Sequence, residues 1–221
     1  MIKRRIYIFG INGYIGYHLK KKLNCKKFKI IPISNTYYDK SYKLNLKKSS
    51  DSDICVNLSS VTGESCDQDK KKTKFINVDL NQEICDSGIG KLIFISTASL
   101  YKNSDSLCNE ESALNPTNLY TETKLISENI IKSSNKKYII LRPGICFGGK
   151  KIIINNFINF FLNNALKNLS ITVQDINTFR PYVPVDTVSE VIKKLIEKNI
   201  ENQVFNVGFN NMNKRKVDLL N

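Results

Sequence analysis

Ile6-Tyr7-Ile8-Phe9-Gly10-Ile11-Asn12-Gly13-Tyr14-Ile15-Gly16 is the stretch on which the fold turns. Its first four residues are apolar, β-branched or aromatic and stop at a glycine, the pattern of a short buried strand. The glycines then follow at GxxGxxG spacing. Gly10 permits a tight turn, Gly13 lets backbone approach a pyrophosphate with no Cβ in the way, and Gly16 lets the next helix lie close on the sheet. From Tyr14 onward, Ile15, Leu19 and Leu23 fall on one helical face. Such a helix start offers free N–H groups and partial positive charge to an anion. The spacing predicts a strand over 3–9 and a helix over 14–24, with Gly10, Gly13, Tyr14, Ile15 and Gly16 against a dinucleotide.

Working outward, the alternation continues. Strands are expected at 28–33, 42–46, 54–58, 91–96, 138–142 and 204–207. Helices are expected at 69–87, stopping near Gly88 and Gly90, at 119–132 and at 155–166. A last helix should be capped by Asp186, with Val188, Val191, Ile192, Leu195 and Ile196 on its inner face. Strands apolar on both faces, alternating with helices, mean a parallel sheet covered on two sides. The fold class is therefore α/β, a Rossmann-type doubly wound parallel sheet, and with no repeat or linker residues 1–221 read as one unit.

Composition excludes other classes. With 41% hydrophobic and 24% charged residues in 221, the chain is neither disordered nor, lacking any run of ~20 apolar residues, an integral membrane protein. Lys3, Arg4 and Arg5 before an apolar run resemble a signal peptide, but Gly10, Asn12 and Gly13 interrupt the run at once. A net charge of +14 points to an anionic partner. The lysines, however, sit in scattered short clusters such as 20–22, 70–72 and 193–194, which reads as a solvated surface and makes nucleic acid an unlikely partner. Cys25, Cys55, Cys66, Cys85, Cys108 and Cys146 form no CxxC pair, and His18 is the sole histidine. No metal site is expected, and reduced thiols suit a cytoplasmic protein.

Two further stretches carry chemistry. Tyr120 and Lys124 stand at i and i+4 in a predicted helix and so share a face. A neighbouring ammonium, together with a nicotinamide cation, favours the phenolate, so the Tyr120 hydroxyl is expected to be unusually acidic and to act as general acid or base toward a sugar hydroxyl. Lys124 would also hold the nicotinamide ribose. At the end of the second strand, where an acid would bind an NAD ribose, the chain reads Ser34-Asn35. Of NAD and NADP, the uncharged site favours NADP slightly.

With these residues in view, the chain resembles the extended short-chain dehydrogenase/reductase family, in its nucleotide-sugar epimerase/dehydratase branch. The resemblance rests on Gly10 to Gly16 with His18, on 93–101, on 120–124, on Leu141 to Gly148, on Arg180 to Asp186 and on Phe205 to Gly208, in family order. It implies that Thr97 is the catalytic Ser/Thr that hydrogen-bonds the reacting oxygen, with Tyr120 the acid/base and Lys124 its partner. It implies further that Leu58, Ser59 and Ser60 line the cofactor path after a fourth strand, that Asn77 and Pro143 lie near the cofactor, and that Asn45 replaces an Asp that faces adenine. Arg180 would grip the diphosphate of a nucleotide-sugar substrate. A homodimer on the helices around 69–87 and 119–132 is also implied. The nucleotide-binding core would be 1–142 and 186–207, and a reduced C-terminal substrate lobe 143–185 and 208–221.

One departure narrows the chemistry. Ala98-Ser99 follow Thr97 where the family's 4,6-dehydratases carry an Asp-Glu pair, so elimination lacks its acid and base. The expectation is C4 epimerisation or keto-sugar reduction. The alternatives are reduction of a non-sugar carbonyl, a non-catalytic NAD(P)-binding protein and, on charge alone, an RNA-binding relative.

Overall fold

The glycine loop joins β1 (Arg5–Phe9) to α1 (Tyr14–Lys22), as the sequence predicts. The computed structural model describes residues 3–23, 26–34, 37–102, 107–149, 157–173 and 176–219. Asn35 and Cys25 lie outside these. After α1 come β2 (Lys29–Ile33), α2 (Tyr42–Lys47) and β3 (Ile54–Asn57). A broken helical stretch follows: α3 (Ser65–Gln68), α4 (Lys70–Lys74), a π-helical turn (Phe75–Asp79) and α5 (Leu80–Cys85). Next are β4 (Lys91–Ile95), α6 (Leu119–Ser133), β5 (Lys137–Pro143), β6 (Ile145–Phe147) and α7 (Phe157–Ala165). The chain continues through β7 (Phe179–Pro184), α8 (Val185–Glu197), β8 (Gln203–Val207) and β9 (Asn213–Arg215).

Six strands form one parallel sheet in the order β2-β1-β3-β4-β5-β8. The chain winds outward from β1 to β2, then returns to the other side of β1 for β3. That reversal marks the place, beyond the carboxyl ends of β1 and β3, where such a sheet receives a ligand. The period-two alternation of the strands feeds two cores. Ile6, Ile8, Ile54, Val56, Ile93, Ile139 and Leu141 pack with Leu19, Val188 and Ile192 on one face. Tyr7, Phe9, Cys55, Leu92, Phe94 and Ile140 pack with Tyr42, Leu46, Leu80, Ile84 and Ile131 on the other. A smaller sheet, β6-β7-β9, pairs β6 with β7 in parallel and β7 with β9 antiparallel.

Three local expectations are corrected. Residues 42–46 form not a strand but part of α2: Tyr42 and Leu46, one helical turn apart, are both buried, and Tyr42 meets Phe9 and Phe75 edge-on while its hydroxyl donates to Glu83 at 2.5 Å. Leu58 to Ser60 consequently follow the third strand, not a fourth. Gly88 and Gly90 do not stop a helix through a positive φ. They admit the 49–51 loop: a Cβ on Gly90 would stand 1.8 Å from the Asp51 carbonyl oxygen and one on Gly88 2.4 Å from that of Ser49. Asp186 does not cap α8; it lies in the first turn, and its carboxylate reaches Lys22 Nζ at 3.3 Å and His18 Nδ1 at 3.4 Å.

Among the described residues, Cys55, Cys66, Cys85, Cys108 and Cys146 form no disulfide, and no helix is long and apolar enough to cross a membrane.

Candidate active site

The glycine loop folds tightly over the strand ends. Gly10 adopts φ +73°, its N–H donates to Ile33 O at 3.2 Å, and a Cβ there would stand 2.9 Å from Leu58 C and Ser59 N. The Gly13 N–H donates to Gly10 O at 2.8 Å. A Cβ on Gly16 would stand 2.4 Å from the same oxygen, and one on Gly13 3.0 Å from it. The N-cap Gly13 has no side chain to occupy the start of α1, and such a helix start suits an anion. A cradle of backbone this close, open at a helix start, fits the diphosphate of a dinucleotide. Ile15 packs on the core beneath it. Tyr14 spends its hydroxyl elsewhere, donating to Gly148 O at 2.5 Å, and burial pushes this phenol up to about 12. Ser34 is exposed at the end of β2, beside Gly10.

Across the β1–β3 junction, Asn77 holds the 59–61 loop in shape. Its Oδ1 accepts from Val61 N at 2.8 Å and lies 3.2 Å from the Ser60 hydroxyl; its Nδ2 donates to Val61 O at 3.0 Å and Thr123 Oγ1 at 3.1 Å. The Asn77 carbonyl, within the π-helical turn, accepts from Asn81 Nδ2 at 2.9 Å and from the Ser127 hydroxyl. Asn81 Oδ1 in turn accepts from Asn57 Nδ2 at 2.7 Å, and Asn57 Oδ1 accepts from Ser59 N at 3.0 Å. Sequence reading missed Asn57, Asn81 and Ser127. Polar residues within otherwise apolar segments were the signal, since buried polar groups need partners.

Thr97 lies two residues past the end of β4, buried, and Tyr120 and Lys124 lie on α6. A capping box of Asn118 and Thr121 fixes the start of that helix, two residues ahead of Tyr120. Thr97 Oγ1 accepts from Ser99 N at 3.1 Å, and its side chain lies near enough to the Tyr120 hydroxyl to favour the phenolate. Lys124 Nζ donates to Ile95 O at 2.7 Å and stands 4.7 Å from the Phe94 ring centre and 6.0 Å from that of Tyr120. The structure thus brings Thr97, Tyr120 and Lys124 together. It does not make the phenol acidic. Burial pushes Tyr120 up to about 12 against the opposing influence of Thr97, and burial pushes Lys124 down to about 7 despite the pull of Glu128. This is the value in the chain without cofactor, set by desolvation; the expected acidity includes the nicotinamide cation beside the ammonium.

Pro143 ends β5, and the next residue, Gly144, donates to Val207 O at 3.1 Å. Asn45 lies in α2, not on a strand. Arg180 is on β7 of the smaller sheet, paired with Lys214, and donates to Phe179 O at 3.2 Å.

Comparison with known proteins places the geometry in context. Residues 4–217 match the RmlD substrate binding domain family. The chain is 32% identical to dTDP-D-glucose 4,6-dehydratase of Dictyostelium discoideum over 137 residues, 53% of this chain and 31% of that relative, so it spans about a third of that protein's length. A dTDP-4-dehydrorhamnose reductase from Clostridium acetobutylicum ATCC 824 superposes with a TM-score of 0.75 at 25% identity, over 92% of this chain and 74% of its own. UDP-glucuronic acid 4-epimerase from Bacillus cereus, in complex with UDP-glucuronic acid and NAD, shares the fold with a TM-score of 0.77 at 21% identity, over 92% of this chain and 77% of its own.

Proposed function

The chain belongs to the RmlD substrate binding domain family, among the extended short-chain dehydrogenases/reductases of nucleotide sugars, and from there we propose that it is an NAD(P)-dependent oxidoreductase or epimerase working at C4 of a nucleotide-activated sugar. The observation that carries the proposal is Tyr120 at the start of α6, one helical turn from Lys124 and within reach of Thr97, on a fold whose sheet also bears the glycine cradle.

When bound, the nicotinamide accepts or donates hydride. Gly10, Gly13, Tyr14, Ile15 and Gly16 hold the cofactor's diphosphate, Leu58 to Ser60 and Asn77 shape its path, and Pro143 backs the nicotinamide. Lys124 binds the adjoining ribose. Ser34 with Asn35 receives the far ribose, and the lack of a carboxylate there favours NADP; Asn45 faces the adenine. Thr97 hydrogen-bonds the reacting sugar oxygen, and Tyr120 moves its proton. Burial keeps Tyr120 protonated in the chain without cofactor, the form that donates to a keto oxygen. Ala98-Ser99 supply no carboxylate for elimination, so the chemistry of the dehydratase relative is disfavoured.

Arg180 binds the substrate diphosphate from the smaller sheet. In this reading 1–142 and 186–207 form the nucleotide-binding core, and 143–185 with 208–221 a reduced substrate lobe. The groove of about 700 Å³ between α5 and α6, lined by Cys85, Ile126, Ile130 and Lys136, is where a homodimer would form in the cytoplasm.

A nucleotide keto-sugar mixed with reduced cofactor tests the proposal. Steady loss of reduced cofactor is expected, and Tyr120→Phe should lower turnover roughly 10²–10⁴-fold with cofactor affinity nearly unchanged. Undiminished turnover in the variant would remove Tyr120 from its role, and no turnover of any sugar by a chain that binds cofactor would favour a non-catalytic binder.

A further inference from the structure

Thr123, the residue before Lys124, lies buried in α6, and the proposed chemistry gives it no task. Its hydroxyl makes two bonds. It donates to Tyr120 O at 2.8 Å, one turn back on its own helix, and accepts from Asn77 Nδ2 at 3.1 Å. Asn77 is bonded in turn to both backbone groups of Val61, accepting from its N–H at 2.8 Å and donating to its carbonyl at 3.0 Å. A continuous chain of hydrogen bonds thus runs from the loop after β3, through Asn77 and Thr123, to the carbonyl of Tyr120 itself. Ser127, one turn farther along α6, bonds Asn77 O and Asn81 Nδ2 instead.

The separate elements do not depend on this hydroxyl for their shape. Without it Asn77 keeps both bonds to Val61, and Tyr120 O stays within the regular ladder of α6. What would be lost is the connection between them. A hydroxyl that bonds back onto its own helix also tends to bend the turn it closes, and this turn leads from Tyr120 to Lys124. At 5% exposure Thr123 has little water to turn to, so both bonds are held.

We propose that Thr123 is a positioning residue: through Asn77 its hydroxyl clamps the Tyr120–Lys124 turn of α6 to the loop 59–61, and so fixes the tyrosine ring against the bound nicotinamide. The inference rests on the function proposed above.

The test reads Tyr120 directly and needs no sugar. Protein carrying ¹³Cε-labelled tyrosine is titrated by NMR at neutral pH with NADP⁺, or with NAD⁺ where that binds more tightly, and the Tyr120 signal is identified by its loss in Tyr120→Phe. Saturating cofactor should shift this signal in the wild type, because an aromatic pyridinium beside the ring changes its magnetic surroundings. In saturated Thr123→Val the shift should fall by about half or more, with affinity nearly unchanged, because a small misplacement suffices to spoil such an alignment. Thr123→Ser, which restores the hydroxyl, should recover the wild-type shift. Ile131→Val, which loosens the buried face of the same helix and leaves the clamp intact, should lower the thermal midpoint and keep the shift. Where Thr123→Val does not fold, Thr123→Ala removes the same hydroxyl. A full shift in the saturated valine or alanine variant, loss of the shift in Ile131→Val, or failure of both Thr123 variants to fold would overturn the inference and leave Thr123 a residue of the fold alone. Failure of the proposed function shows separately, in the wild type, as no dinucleotide bound or a bound one that leaves the Tyr120 signal in place, and the inference falls with it.

Discussion

Tyr120 and Lys124 sit one helical turn apart, and burial moves their protons in opposite senses, the phenol up and the ammonium down. A pH dependence follows for the chain without cofactor. Folded, Lys124 loses its proton near 7; unfolded, it keeps it to the ordinary lysine value. Below pH 7 both states are protonated and the cost of the buried ammonium is fully present. Between the two values the unfolded chain binds the extra proton, so stability rises with pH. Above roughly pH 8.5 the raised thiols of Cys66 and Cys146 act the other way, since unfolding lets them ionise. The thermal midpoint should therefore climb from pH 7 to about 8.5, and Lys124→Met should flatten the climb and raise the midpoint at pH 7. An equal climb in the variant would contradict the burial of a titrating Lys124. Tyr120 and Lys124 were legible in sequence because i,i+4 spacing is a local signal, whereas Thr97 was reached through the family resemblance. The buried ion pair of Glu128 and Arg142 was not legible, because it depends on a contact between α6 and β5. An arginine closing the apolar run 138–141 was the available hint, since a charge buried there demands a partner.

At the scale of elements, the parallel strands were readable because each is apolar on both faces, and the two cores use alternate residues of the same strands. Helix α2 was misread because Tyr42 and Leu46 fit one helical turn as well as a short strand. The smaller sheet was not foreseen: Pro181 and Pro184 within β7 argue against a strand in sequence, yet this strand pairs with β6 and β9 over only three residues each. The π-helical turn was also invisible, since nothing in Phe75–Asp79 marks the extra residue in its turn. The glycine loop makes a prediction that separates folding from binding. Gly16→Ala forces a Cβ against Gly10 O and should cost about 1–3 kcal/mol in urea unfolding. Gly13→Ala meets that oxygen only at 3.0 Å and should cost less stability while weakening dinucleotide affinity more. Equal losses of stability, or unchanged affinity in Gly13→Ala, would mean that the loop shapes the fold and not the ligand.

For the whole molecule, the net charge of +14 is distributed among surface lysines, of which Lys27, Lys74 and Lys137 pair with exposed or half-exposed carboxylates. Such pairs contribute little to stability, so the charge bears on partners rather than on the fold. A ligand of the native state raises apparent stability by about 2.7 kcal/mol at a hundred times its dissociation constant. Dinucleotides should therefore raise the thermal midpoint in a concentration-dependent way, NADP more than NAD at equal concentration; a larger shift with NAD would reverse the cofactor preference assigned to Ser34. The most direct test is a crystal structure of the chain at saturating dinucleotide. The diphosphate should lie on the backbone of residues 10–16 and the nicotinamide ring beside the Tyr120 hydroxyl and Lys124. A ring bound elsewhere, or no dinucleotide in the crevice at that concentration, would contradict the proposed function.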